Sequence, residues 1–220
     1  MEKYDSSNDT INHIENVRKY INRIRSVLEE QKYIRMSEVN FDINKVTLVD
    51  ILTAYYNGIA LPFYGDKFNI INKNSSMYFK RYDRDKNEML DRYLFELEER
   101  GINHDKSKLA PPEKEGFDIW TPALRGTTYG SEEYKNYLKE LSKVLAHHYK
   151  NNRHHPEHFE NGIYGMNIID LTEMICDWKA ASERHNDGDI IDSISNINKD
   201  RFGYDDTMVM VLKNTTEKYF

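Results

Sequence analysis

Thiols are nearly absent from this sequence: one cysteine, Cys176, in 220 residues. That excludes an internal disulfide framework and any multi-thiolate zinc site, and it fits a reducing compartment, so a cytoplasmic location is expected. An excess of positive charge is also missing. With 31 Lys+Arg against 37 Asp+Glu and a net charge of −6, the phosphate attraction that drives nucleic-acid binding is lacking overall, which argues against a general DNA or RNA binder and leaves only a local basic groove open. No long apolar run occurs. The windows 46–65 and 166–181 each contain acidic residues and fall short of the ~18 uncharged residues of a membrane span. The polar, acidic start from Met1 to Thr10 lacks a secretory pattern, so no export and no membrane partner are expected. There is no phosphate-cradling glycine loop, no dinucleotide fingerprint, no Gly-x-Ser-x-Gly elbow and no internal repeat.

Large side chains are plentiful instead. Hydrophobic residues make up 39% and aromatics 12%, with 16 Tyr and 9 Phe, which is enough to build a core. Apolar residues Ile11, Ile14, Val17, Ile21, Ile24 and Leu28 follow a three-four spacing that predicts a first helix over 10–31, capped by Asp9 or Thr10. A second helix is predicted over 46–57. Phe68, Ile70, Met77 and Phe79 alternate around the turn-prone Asn72 to Ser76, which predicts a hairpin within 63–82. Helical spacing returns over 85–100, with Gly101 as its expected stop. A short helix at 113–120 is bracketed by loops at Pro111-Pro112 and 121–130. Further helices are predicted over 131–149, 165–184 and 189–202, with a tail helix after Asp205. His185 to Asp189 reads as a turn with Asp189 as cap, since it lacks the register of a calcium loop. The expected class is mainly α, with a small α+β insertion between the first helix and the helix that carries His104.

The chemistry concentrates in the histidines. His147, His148, His154, His155 and His158 lie within twelve residues, and His104 is followed directly by Asp105. Imidazole and carboxylate are the ligands that zinc, manganese and iron accept when thiolates are absent. At ~100° per residue, His13 shares the face of Val17, Tyr20 and Ile24, and His148 shares that of Leu141, Val144 and Leu145, whereas His147 points away. The helix after Gly165 is apolar nearly all round, yet Asp170, Glu173 and Asp177 form one stripe on it. Buried carboxylates must be paired, protonated or bound to a cation. Lys179, Arg184 or another base can pair them, and so can a metal. Lys106, Lys108 and Arg153 are candidates for holding an anionic group or for ordinary solvated roles. Cys176, mid-helix among apolar residues, is a poor nucleophile.

This ordered set resembles the HD-domain superfamily of metal-dependent phosphohydrolases: an early helical histidine, the His-Asp-Lys-Ser-Lys run at 104–108, later histidines, and the closing Cys176-Asp177-Trp178. The stretch from Asn103 to Tyr204, with His-His-x-x-x-Asn-Arg-His-His-Pro-Glu-His at 147–158, is similar to a family of uncharacterised phage and bacterial proteins of unassigned function. The resemblance implies an HD-like helical bundle formed by residues 1–33 and 93–220, with 34–92 as an insertion that serves as lid or interface. It implies one or two divalent ions (manganese, zinc, cobalt or iron) on His13, His104, Asp105 and Asp177, joined by His148 and one of His154 or His155, with His155 the choice. Lys108 and Glu173 take catalytic roles in that reading, and Lys106 and Arg153 bind substrate. The implied activity is hydrolysis of a small phosphorylated ligand, nucleotides first, by metal-activated water. A di-iron oxygenase of the same fold, and a non-catalytic nucleotide-sequestering phage protein, are the alternatives. A homo-oligomer is compatible with any of the three.

Overall fold

The computed structural model of the chain describes residues 4–31, 43–56, 86–127, 131–184 and 188–220. They are mainly helical, and no strand occurs among them. The helices are α1 (Ser7–Gln31), α2 (Leu48–Tyr56), α3 (Lys86–Asn103), α4 (Glu113–Arg125), α5 (Glu132–Asn151), α6 (Ile168–Ser182), α7 (Ile190–Asp192), α8 (Asn198–Phe202) and α9 (Asp206–Tyr219). The hairpin expected within 63–82 lies outside the described residues. No described helix is long and apolar enough to cross a membrane.

α6 is the axis of the structure. Every residue from Ile169 to Trp178 on it is buried, and its side chains sort into three stripes. Ile169, Cys176 and Ala180 face one hydrophobic cluster with Val17, Ile21 and Ile24 of α1 and Leu90, Leu94 and Leu97 of α3. Leu171, Met174, Ile175 and Trp178 face a second cluster with Ile194, Tyr204, Met208, Val211 and Leu212. The third stripe is Asp170, Glu173 and Asp177, as the spacing predicts. A capping box starts the helix: the Asn167 side chain accepts from the Ile169 and Asp170 amides, and Asp170 accepts from the Asn167 amide at 3.0 Å, which satisfies donors that would otherwise be buried and orphaned. α2 joins both cores, with Leu48 and Ile51 in one and Val49 and Leu52 in the other. That helix, with residues 43–47 before it and the start of α3 at 86–92, makes up the described part of the segment expected as an insertion.

Two helix ends differ from expectation. Gly101 does not stop α3 but lies inside it, where a Cβ would come within 3.3 Å of Arg18 Cγ and Ile21 Cδ1. The glycine therefore serves close packing of α3 on α1, not termination. Pro122, read as part of a loop, lies inside α4. A proline lacks the amide donor and crowds the carbonyl four residues back, but its own carbonyl still accepts from the Gly126 amide at 3.0 Å, and the helix continues to Arg125. α4 and α5 pack as a hairpin in which Gly116 permits close approach, since an added Cβ would sit 2.3 Å from Val144 Cγ2 and force a shift. The helix expected over 189–202 is broken in pitch: α7 passes into α8 through a π turn at Ser193–Ile197, and the Tyr204 hydroxyl donates to the Ile194 carbonyl at 2.6 Å.

Candidate metal centre

Four helices and one short segment converge on a buried cluster of imidazoles and carboxylates. His13 comes from α1, His104 from the last turn region after α3, His148 from α5, His154 and His155 from the segment after α5, and Asp177 from α6. Asp105 stands at the middle with φ +54°. Asp is among the few side chains that tolerate the left-handed region, and the reversal carries the chain from α3 into the 3-10 turn Lys106–Leu109. The Lys108 amide closes that turn on the Asp105 carbonyl at 2.9 Å, leaving the carboxylate to the cluster.

Its two oxygens face different partners. Asp105 Oδ1 lies 3.2 Å from His148 Nε2 and 3.4 Å from His154 Nε2. Oδ2 lies 3.8 Å from His13 Nε2, 3.7 Å from His104 Nε2 and 2.6 Å from Lys108 Nζ. Three overlapping ligand groups result, the ligand atoms of each within 4.8 Å of one another: His13, His104 and Asp177; Asp105, His148, His154 and His155; and His104, His154 and Glu173, which shares one imidazole with each of the other two. These buried groups can hold a metal ion. His158 stands apart, donating its Nδ1 proton to the Tyr149 carbonyl at 3.0 Å.

The protonation pattern fits a cation. His104 Nδ1 donates to Glu173 Oε1 at 2.9 Å and His148 Nδ1 donates to Glu113 Oε2 at 2.8 Å, so in the neutral rings both Nε2 lone pairs point inward. His104 Nε2, His154 Nε2, His13 Nδ1 and Asp105 Oδ1 are buried and make no hydrogen bond among the described residues. Buried polar atoms left so are rare and costly. Three of these four, His104 Nε2, His154 Nε2 and Asp105 Oδ1, belong to ligand groups. His148 Nε2 and His155 Nε2 approach to 2.9 Å, a contact that two lone pairs tolerate only with a proton or a cation between them.

Charge is distributed unevenly over the cluster. Burial and the neighbouring His154 push the His155 imidazole down to about 2, so it is neutral. Burial also lowers His13. For His104 burial acts downward but the Asp105, Asp177 and Glu173 carboxylates outweigh it and lift the ring to about 10. Asp105 and Asp177 are held well below the usual carboxylate range: burial opposes this, but Lys108 and His104 overcome it at Asp105, and the nearby His104 ring and the His13 hydrogen bond do so at Asp177.

A layer of support stands behind the ligands. Glu173 joins His104 and His154 on one side, Oε1 lying 2.9 and 3.2 Å from their Nδ1 atoms, and accepts from Arg100 Nη1 at 3.0 Å on the other. Arg100 Nη2 continues to Asp170 at 2.8 Å, and Asp170 also accepts from Arg153 Nε and Nη2 at 3.0 and 2.8 Å. Glu113, in the first turn of α4, accepts from His148, from Ser107 Oγ at 2.8 Å and from the exposed His147 at 2.8 Å. Of the residues singled out in the sequence, the structure thus brings together His13, His104, Asp105, His148, His155 and Asp177, with Lys108 and Glu173 against them. Lys106 is placed with Asn103 Oδ1 at 3.0 Å, and Arg153 with Asp170 and over the Phe159 ring at 4.9 Å. Glu113 and Arg100 were not foreseen: a single carboxylate after a proline pair, and an arginine in a helix dense with charge, carry no signal of their own.

Residues 84–218 match a family of unknown function (DUF5662), and the chain belongs to it. No curated protein and no solved structure matches.

Proposed function

We propose that this member of the family is a metal-dependent phosphohydrolase of the HD type, acting on a small phosphorylated substrate. The observation that carries the reading is the Asp105 carboxylate, with one oxygen toward His148 and His154 and the other toward His13 and His104. In this reading His13, His104, Asp177 and Asp105 hold one divalent ion, and Asp105, His148, His154 and His155 hold a second. When bound, the ions supply an acidified water and a Lewis acid for a phosphoryl oxygen.

The chain's own residues supply the rest. Lys108, with its Nζ at 2.6 Å from Asp105 Oδ2 and partly exposed, is the cation poised to meet an incoming phosphate oxygen, as a point charge suits. Glu173 and Glu113 keep the proton on Nδ1 of His104 and His148 and so keep both Nε2 atoms free. Lys106 and Arg153 would reach a phosphate only by leaving Asn103 and Asp170. In the overall reaction the oxygen of water bonds to phosphorus, the phosphorus–oxygen ester bond breaks, and the departing alkoxide takes a proton, giving an alcohol and inorganic phosphate. Nucleotides are the first substrates to try.

The test is elemental analysis of protein purified without chelator or His-tag, followed by a phosphate-release screen on the loaded protein. One or two atoms of manganese, zinc or cobalt per chain with phosphate release is the expected result. Iron at two per chain with dioxygen uptake and no phosphate release would replace the hydrolase by an oxygenase, and no metal after reconstitution would remove both.

A further inference from the structure

A cavity of about 530 Å³ opens directly beside the cluster, sharing Asp177 and His155 with it. Its size falls in the ~300–1,000 Å³ range of small-molecule sites. Part of its lining comes from the π turn Ser193–Ile197 and from α8. A π turn widens the helix locally and is often retained where a binding surface needs it. Here the pitch brings Ser193 and Asn198 together, Asn198 Nδ2 donating to Ser193 Oγ at 2.9 Å, and both line the cavity. Trp178 and Phe202 form a stacked pair in the same lining, ring centroids 5.8 Å apart and planes within 8°.

The polar groups of the lining are biased toward acceptors. Asp189 and Asp192 both face the cavity, and neither enters an ion pair among the described residues. Asp189 Oδ1 accepts from the Ile191 and Asp192 amides at 2.7 and 3.2 Å, and Asp192 Oδ1 accepts from Asn196 at 2.7 Å. Ser182 has spent its proton on the Lys179 carbonyl at 2.8 Å, leaving oxygen lone pairs. The lining cation, Arg201, is engaged by Glu157 at 2.5 Å and Tyr149 at 3.3 Å and lies over the Phe202 ring. Ile197, 62% exposed, adds an apolar edge. Such a wall favours hydrogen-bond donors with an apolar face and repels anions.

Resting on the phosphohydrolase reading, we infer that this cavity takes the alcohol half of the phosphoester, and that this half is non-anionic and rich in hydroxyl or amino donors. The substrate class is then the phosphate monoester of a neutral or cationic polar alcohol. Esters whose alcohol half carries a carboxylate or further phosphate are disfavoured by Asp189 and Asp192.

Calorimetric binding of glucose 6-phosphate and 6-phosphogluconate to the full-length protein, loaded with manganese and kept in manganese excess, separates the cases. The two ligands are close in size; the second has an open chain ending in a carboxylate in place of the sugar ring, and the comparison with Asp192→Asn isolates the charge from the shape. Glucose 6-phosphate is expected to bind about tenfold tighter, since like charges at short range cost binding, and Asp192→Asn is expected to reduce that gap to about threefold or less. Ile197→Glu, at the rim, is expected to widen it. Equal or tighter binding of 6-phosphogluconate, no binding of either ligand, or a gap unmoved by Asp192→Asn overturns the inference. The phosphate-release screen on the same loaded protein reads the other proposal separately: a binding gap with no phosphate released from any ester in the screen keeps the cavity and discards the hydrolase.

Discussion

The two halves of the candidate metal centre are built in opposite ways. His13 and Asp177 come from α1 and α6 and His104 from the turn that directly follows α3, and His13 and Asp177 meet at 2.7 Å across 164 positions of sequence. His148, His154 and His155 come from α5 and the segment that follows it. The first half therefore exists only when the core around α6 is packed, because the same helices carry Val17, Ile24 and Leu97 into that core. The second half is nearly local and needs chiefly the α4–α5 hairpin and Glu113. Asp105 belongs to both, and the comparison teaches that its strained turn is where a global and a local structure are joined.

The largest effect is expected from breaking that join. Asp105→Ala should abolish binding at both groups, with elemental analysis falling to background while circular dichroism stays helical; retention of even one ion would separate the halves more than the geometry allows. His13→Ala should remove one ion and His148→Ala the other, each leaving about one per chain, and loss of both ions from either variant would show the halves to be one site.

Next in size are the supporting carboxylates, since groups that orient a ligand imidazole are worth ~10–100-fold in metal affinity. Glu173→Gln, which touches His104 in one half and His154 in the other, should weaken both, and Glu113→Gln only the half holding His148, as read by competition with a chelator. Equal losses in both halves from Glu113→Gln would sink the division of labour.

A pH titration sharpens the comparison further. In the ion-free protein the surrounding carboxylates raise His104 to about 10 from an ordinary 6.5. Its protonated form stabilises the fold fully below about 6.5, and that contribution is lost as the pH rises through about 10. Metal must displace this proton, so loading near pH 8 should release it and affinity should climb with pH. Calorimetry in buffers of different ionisation enthalpy measures the release, which should fall in His104→Ala to the share of His154, a ring that burial lowers but Asp105 and Glu173 raise further. The smallest expected effect is purely structural: Gly116→Ala, with its Cβ against Val144, should cost about 1–3 kcal/mol as an overpacking change, lowering the thermal midpoint while both ions remain.

How far the sequence could be read depended on whether the signal was periodic or contextual. The helical phase of His13, His148 and the α6 carboxylates was legible because burial follows from the apolar neighbours on the same face. The sorting of those carboxylates was not. Asp170 is spent on Arg100 and Arg153, while Asp177 meets His13, and nothing in a three-four spacing distinguishes them. His154 and His155 are adjacent and on irregular backbone, so periodicity had no purchase there, and both face the cluster. Gly101 and Pro122 were misread for one reason: each carries a strong local preference that packing or a surviving carbonyl overrides.

The three stripes of α6 set how this protein can change over time. A helix whose entire circumference is committed has no neutral side on which to accept substitutions. A single inserted or deleted residue would turn everything beyond it by ~100°, carrying Asp177 into a hydrophobic cluster and Cys176 or Trp178 out of one. Length variation among relatives should therefore fall in the connections on either side and spare Ile168–Ser182. Any drift along that helix should come as paired exchanges across its contacts with α1 and α9.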